Sequence, residues 1–144
     1  MKLGLLTAPF ADTSLADVAD WSAQAGFEAL EIACWPSAGG EKRRYAGTAH
    51  IAVETMTKTQ GRDIVTTLAA KGLTISGLGY YPNPLHADQS HRDNVIGHLK
   101  LVIKAAGLMG VGVVNTFIGG NRALTVDQNW QNAVPIFNDI IAYA

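Results

Sequence analysis

Four short runs of apolar residues divide the chain, and glycine, proline or asparagine bounds each of them. The runs cover residues 2–8, 29–35, 73–80 and 111–118. Leucine, isoleucine and valine dominate them, and polar residues do not alternate strictly with apolar ones, as is typical of strands buried on both faces. The pattern therefore predicts four strands of a buried sheet.

Between and after these strands, apolar residues recur at the spacing of amphipathic helices. The first helix is predicted to begin at a capping box at Ser14 and to end near Gly26, and the second to cover about 57–71. The third helix is clearest over 95–106. The fourth begins at Thr125 and contains Pro135, which is expected to kink or split it.

Strands and helices thus alternate four times, which predicts a parallel sheet covered by helices. Two architectures fit this order, an open doubly wound sheet and part of a barrel. The connection at residues 8–13 has no Gly-x-Gly-x-x-Gly, and the chain has no phosphate-binding P-loop. A complete eight-fold barrel needs about 250 residues. We therefore predict an α/β fold of four βα units of a (β/α)8 TIM barrel, a half barrel forming a single domain over residues 1–144.

Composition narrows the possible partners. Of the 144 residues 48% are hydrophobic and 16% charged, with a net charge of −1. This excludes a disordered chain and gives no basic face for nucleic acid or for an anionic membrane. No apolar run approaches the ~20 residues that cross a bilayer. Cys34 is the single cysteine, so no intrachain disulfide forms and a cytoplasmic location is expected.

Candidate chemistry lies where the predicted strands end, because active sites of barrels occupy that rim. Aromatic side chains there can stack on a sugar, and amides and hydroxyls can bind its hydroxyl groups, so the set suits a small polyol. Tyr80 and its neighbour Tyr81 point to opposite sides of the strand, and we expect Tyr80 to face the site. The predicted substrate-binding residues are Trp35, Tyr80, Asn83, Asn115 and Thr116.

Each candidate also has a purely structural interpretation. Trp35 is equally typical of a packing residue, and Asn83 between two prolines is an ordinary turn residue. Glu31 lies inside a strand, where structural pairing and a polar role at the barrel mouth are equally compatible with it. His98 is expected at the edge of the third helix or in solvent. The basic run at 42–44 is interpreted as solvated, or as steering an anion towards a sugar site.

Several segments resemble the sugar phosphate isomerase/epimerase family of xylose isomerase-like barrels. The resemblance rests on residues 79–85, 98–106 and 113–119, with weaker similarity at 2–5 and 26–32, and it runs over the whole chain. It implies a TIM barrel and a divalent metal ion (Mn, Mg, Co or Zn) in the full barrel, held by Glu, Asp and His. Those ligands belong to later strands, so it implies none held by this chain alone.

The resemblance implies that the parent protein is an isomerase or epimerase that moves a proton through an enediolate. Whether this chain is itself an enzyme stays open, and we expect it to be inactive alone. The alternative is a non-catalytic half barrel that binds carbohydrate or serves assembly. Open strand edges and an apolar face predict a homodimer or a missing C-terminal half as partner.

Overall fold

Strands and helices alternate along the chain in a computed structural model that describes residues 1–37 and 47–144. The basic run at 42–44 lies outside the described residues. The strands form one parallel sheet in the order β1-β2-β3-β4, as predicted. They are β1 (Gly4–Leu6), β2 (Ala29–Ala33), β3 (Thr74–Gly79) and β4 (Val114–Asn115). The helices are α1 (Leu15–Gln24), α2 (Lys58–Ala70), α3 (Gln89–Met109) and α4 (Val126–Tyr143), with a short 3-10 turn at Val53–Thr55. The half barrel of parallel strands with outer helices is confirmed.

The helix boundaries follow local capping chemistry. Thr57 begins α2 with a complete capping box, in which its hydroxyl accepts from the Gln60 N–H and the Gln60 side chain accepts from the Thr57 N–H. Thr125 begins α4 in the same way. Gly26 follows α1 with a φ of 86°, a left-handed conformation that glycine adopts without strain. These predicted ends are confirmed.

Helix α4 runs through Pro135 as one helix, so of the predicted kink or split the split is wrong and the kink stays a prediction. Proline removes one backbone hydrogen bond, but most of the stability of a helix in a protein comes from packing of its apolar face. Ala133 and Ile140 are both buried, so each half of α4 is held on its own side of the proline.

The apolar core lies between the sheet and the helices. Leu30 and Ile32 of β2 and Leu78 of β3 are fully buried there, against Leu99 and Val102 of α3. Side chains alternate between the faces of a strand, so the residues between these leucines and isoleucines point to the opposite face. We call that opposite side the inner face; it carries Glu31, Gly77, Gly79, Val113 and Asn115.

Candidate functional site

Polar chemistry gathers on the inner face, where two glycines of β3 leave room for side chains of β2 and β4. Glu31 pairs in register with Gly77, and Gly79 pairs with Asn115. A Cβ atom on Gly79 would lie 2.5 Å from Oε1 of Glu31, and one on Gly77 would lie 3.0 Å from Nδ2 of Asn115. The Glu31 carboxylate and the Asn115 amide therefore both lie over β3. They occupy space that a side chain at residue 79 or 77 would otherwise fill.

Tyr81 closes one side of this polar pair. Its hydroxyl group donates a hydrogen bond to Oε1 of Glu31. Burial of the phenol raises the pKa of Tyr81 above its ordinary value, and the hydrogen bond to Glu31 and the negative charge of that carboxylate raise it further. Tyr81 thus stays a neutral donor, which fixes the direction of the hydrogen bond and the position of the carboxylate.

Aromatic rings continue the site outward from Tyr81. The Tyr81 ring lies 4.7 Å from the Phe117 ring and 6.0 Å from the Trp35 ring, measured between centroids. Trp35 is only 7% exposed, whereas Phe117 is 60% exposed. Phe117 therefore offers accessible apolar surface on the Tyr81 ring, and the buried Trp35 packs against the same Tyr81 ring.

Tyr80 lies on the other side of the sheet. It is 3% exposed, and its ring packs 4.6 Å from the His98 ring of α3. Burial raises the pKa of Tyr80 to about 12. The orientation expected for the tyrosine pair is therefore reversed, because Tyr80 shares the helix-facing side of β3 with Leu78 while Tyr81 lies with the glycines.

His98 is also buried, which corrects the solvated position expected for it. Its Nε2 donates to the carbonyl oxygen of Cys34 over 2.8 Å. Its Nδ1 lies 3.9 Å from Oε1 of Glu54. Oε1 of Glu54 accepts a hydrogen bond from the Ser37 N–H, and Oε2 accepts one from the Ser37 hydroxyl. Burial raises the pKa of the Glu54 carboxyl, but the Ser37 hydrogen bonds and the nearby His98 outweigh it and lower the pKa below its ordinary value.

Asn83 joins two loops at the rim. Its Nδ2 donates to the carbonyl of Gly120 at 2.8 Å, and its Oδ1 accepts from the N–H groups of Gly120 and Leu85 at 3.0 and 2.9 Å. These bonds tie the β3–α3 loop to the β4–α4 loop. Gly119 has a φ of 75°, and a Cβ atom there would collide with Oδ1 of Asn83. Both the turn and the close approach therefore need glycine at this position.

Thr116 follows Asn115 and so points away from the inner face. It lines a surface groove between α3 and α4 together with Ile103 and Phe137. Of the five predicted site residues, the structure brings Asn115 and Trp35 towards Glu31 and Tyr81. It places Tyr80 and Thr116 on the helix side, and it engages Asn83 in a loop contact. A substrate-binding role for all five stays a prediction.

The ends of β1 and β2 are held together by a chain of hydrogen bonds. The Thr7 hydroxyl accepts from the Ala33 N–H at 2.9 Å and contacts Nδ1 of His50 at 2.9 Å, while Nε2 of His50 contacts the Thr13 carbonyl at 3.0 Å. A carbonyl oxygen only accepts, so Nε2 of His50 donates to the Thr13 carbonyl. These hydrogen bonds thus fix the rim of the sheet beside the inner face.

A reactive cysteine and a metal-binding cluster find little support among the described residues. Cys34 is completely buried, and burial raises the pKa of its thiol well above the ordinary value, which leaves it unreactive. Over residues 1–37 and 47–144, no three His, Cys, Asp or Glu side chains lie close enough together to hold a metal ion. The described residues therefore do not form the metal site that the family implies.

Sequence reasoning missed Tyr81 and Phe117, and it left Glu31 undecided. One signal was available, since a Gly-x-Gly inside a strand indicates that other groups approach the backbone closely. Gly77 and Gly79 have that spacing. With Leu78 and Tyr80 assigned to the buried side, the alternation along β3 would have assigned Tyr81 to the inner face.

Comparisons with known proteins place the fold among barrels. A family model described as xylose isomerase-like TIM barrel matches residues 19–144. No curated protein sequence matches the chain. Within the part of the chain that the structure describes, no helix has the length and hydrophobicity that a bilayer crossing requires.

Solved structures resemble the chain in fold at low sequence identity. A D-psicose 3-epimerase determined in the presence of D-fructose has a TM-score of 0.68 and 13% identity, over 100% of this chain and 48% of its own. A putative xylose isomerase from Rhodospirillum rubrum has a TM-score of 0.65 and 16% identity, over 99% and 50%. The probable 3-DHS dehydratase AsbF of Bacillus anthracis has a TM-score of 0.62 and 19% identity, over 99% and 47%. The chain spans about half the length of each.

Proposed function

The chain belongs to the xylose isomerase-like TIM barrel family, and on that premise we propose that it is the N-terminal part of a sugar or sugar phosphate isomerase or epimerase. The reaction proposed is divalent-metal-dependent proton transfer through an enediolate. The observation that carries the proposal is the polar inner face, where Glu31 and Asn115 lie over two glycines of β3. A barrel interior built only for packing would be filled by branched apolar side chains there.

We propose further that residues 1–144 form a single domain that is half of a closed barrel. Strands β1 and β4 are the edges of the sheet, and Val113, Phe117 and Trp130 are large apolar residues left 48%, 60% and 63% exposed near the β4 edge. Open edges and exposed apolar surface favour a further layer of protein. A C-terminal half of the barrel, or a second copy of the chain, is the partner proposed.

In this barrel the chain's own task is to bind and orient a ketose. Asn115 is proposed to hydrogen-bond a substrate hydroxyl and Trp35 to support the wall of the site, while Asn83 holds the neighbouring loops. The metal ligands are proposed to come from strands of the second half of the barrel. The 144-residue chain alone is therefore expected to be inactive, and a cytoplasmic location remains part of the proposal.

Deuterium exchange tests the function. The chain is incubated in D₂O with Mn²⁺ and a panel of ketoses and inososes, and deuterium at the carbon next to the carbonyl is followed by NMR. We expect no exchange by the chain alone and exchange by a form carrying four more βα units. Absence of exchange by that longer form across the panel would contradict the proposal.

The alternative function is a non-catalytic half barrel that binds carbohydrate or serves assembly. It is favoured by the open edges of the sheet and by the exposed Phe117 near the β4 edge, a surface that another chain could cover. Metal-independent binding of a polyol by the 144-residue chain, with no exchange by the longer form, would support this alternative.

A further inference from the structure

We propose that Glu31 and Asn115 are the two ends of a subsite that binds a pair of hydroxyl groups of a polyol, with Tyr81 as the residue that positions Glu31. The inference rests on the proposed function, because it names how that site recognises its substrate. Polyol is the ligand class because the two ends offer one strong acceptor and one group that both donates and accepts.

The two polar groups converge from opposite sides. Glu31 reaches over β3 from β2 to the level of Gly79, and Asn115 reaches over β3 from β4 to the level of Gly77. Residues two apart on a strand are separated by about 6.6 Å. Two hydroxyl groups on one carbon chain, each with a hydrogen bond of about 2.8 Å, can bridge polar groups that lie over two such positions.

Glu31 keeps hydrogen-bonding capacity for such a ligand. In the described part of the chain it takes one hydrogen bond, from Tyr81, and it has no cationic partner. A carboxylate accepts at about four lone-pair positions, and the Tyr81 hydroxyl takes one of them. The neutral Tyr81 phenol keeps the carboxylate aligned over Gly79 while that ligand binds.

Apolar surface beside the pair suits the carbon chain of the same ligand. Phe117 is 60% exposed, and its ring lies 4.7 Å from the Tyr81 ring, measured between centroids. The C–H face of a sugar packs on aromatic rings while its hydroxyl groups meet polar atoms, which is the usual division in small-molecule sites. Gly77 and Gly79 leave the room over β3 that the two polar ends occupy.

The test follows the Tyr81 ring directly. The 144-residue chain is labelled with ¹³Cζ-tyrosine, the Tyr81 signal is assigned with Tyr81→Phe, and D-fructose is titrated without metal. We expect a saturable shift, and an apparent Kd about tenfold weaker or worse in both Glu31→Gln and Asn115→Ala. Matched exposed changes, Glu28→Gln and Asn94→Ala, should leave the Kd within about twofold of the unsubstituted chain.

Two results would overturn the subsite: equal D-fructose binding in the substituted chains, or a Tyr81 shift with ethylguanidinium chloride but none with D-fructose. The second result would assign Glu31 to a cationic side chain of the protein that completes the barrel. The unsubstituted titration decides the question even if a variant fails to fold.

Polyol binding without exchange by the longer form would leave the subsite standing and remove the proposed function. Exchange at an unchanged rate in the Glu31→Gln and Asn115→Ala variants of the longer form would leave the proposed function standing and remove the subsite.

Discussion

Gly79 and Glu31 lie on neighbouring strands so close together that a Cβ atom on the glycine would stand 2.5 Å from Oε1 of the carboxylate. The same Cβ would lie 3.0 Å from Cε2 of Tyr81. Real Cβ atoms do not approach a carboxylate oxygen so closely, so the absence of a side chain at residue 79 is what permits the Glu31–Tyr81 hydrogen bond.

Gly79→Ala should therefore displace Glu31 and Tyr81 and lower the free energy of unfolding by about 1–3 kcal/mol, the usual cost of overpacking. The measurement is urea denaturation. Gly97→Ala is the matched control, because a Cβ on Gly97 in α3 meets nothing within 4 Å. That change should stabilise the chain by about 0.5–1 kcal/mol, since alanine is the better helix residue. Equal effects of the two substitutions would contradict the close approach.

Asn83→Ala should lower the free energy of unfolding by about 2 kcal/mol, because it leaves partly buried backbone groups of Gly120 and Leu85 without their partners. Asn83→Asp keeps both acceptor bonds and loses only the donor, so we expect a smaller loss. The exposed Asn94→Ala change serves as control in the same urea titration. If Asn83→Ala costs no more than this control, the loop contact contributes nothing to stability.

Alkaline pH should destabilise the fold through its buried phenols. The folded-state pKa values of Tyr80, about 12, and of Tyr81 are raised, whereas an unfolded tyrosine titrates near ~10. The folded chain thus holds these protons more tightly than the unfolded chain does. Their stabilising effect is complete below about pH 10 and is lost as the pH rises through the folded-state values.

Tyr81→Phe should flatten the fall in unfolding free energy above about pH 10, measured by urea titration at several pH values. Tyr143→Phe, at an exposed position of α4, is the control. Glu31→Gln should lower the Tyr81 pKa only in part, because burial is the largest cause and remains. Absorbance of the phenolate reports that pKa, and a slope unchanged by Tyr81→Phe would rule out the raised value.

Acid should act through Glu54. Its pKa is lowered in the folded chain by the Ser37 hydrogen bonds and by His98, against the opposing effect of burial. Its contribution is therefore present above the unfolded value of about 4.3 and is lost as the pH falls through the folded value. Glu54→Gln should make unfolding less pH-dependent in that window, and the exposed Glu28→Gln change should not. Matching acid profiles for the two variants would refute the role of Glu54.

Local patterns in the sequence were enough to predict the layers of the fold. Unbroken apolar runs identified the strands, and hydroxyl groups such as that of Thr125, three residues before Gln128, identified helix starts. These signals work because capping and amphipathicity act within one or two turns. Pro135 shows the limit, because contacts of Ala133 and Ile140 with the rest of the protein outweigh a local preference.

The site was harder to predict because it depends on partners far away in sequence. Asn83 meets Gly120 37 residues later, and His98 meets the Cys34 carbonyl 64 residues earlier. No local spacing encodes either contact. The orientation of Tyr80 and Tyr81 was hard to predict for another reason. Alternation along the strand puts them on opposite faces, but only the burial of Leu78 decides which face each takes.

The spatial order of the strands equals their order of synthesis, and this has a consequence for folding during translation. Each strand pairs with the one made immediately before it, so β2 finds β1 already present and β3 finds β2. A nascent chain that emerges at roughly 5–20 residues per second can extend the sheet one unit at a time from the ribosome. Each added strand leaves its outer edge unpaired. The strand of the next βα unit to be translated is the nearest one that can cover that edge.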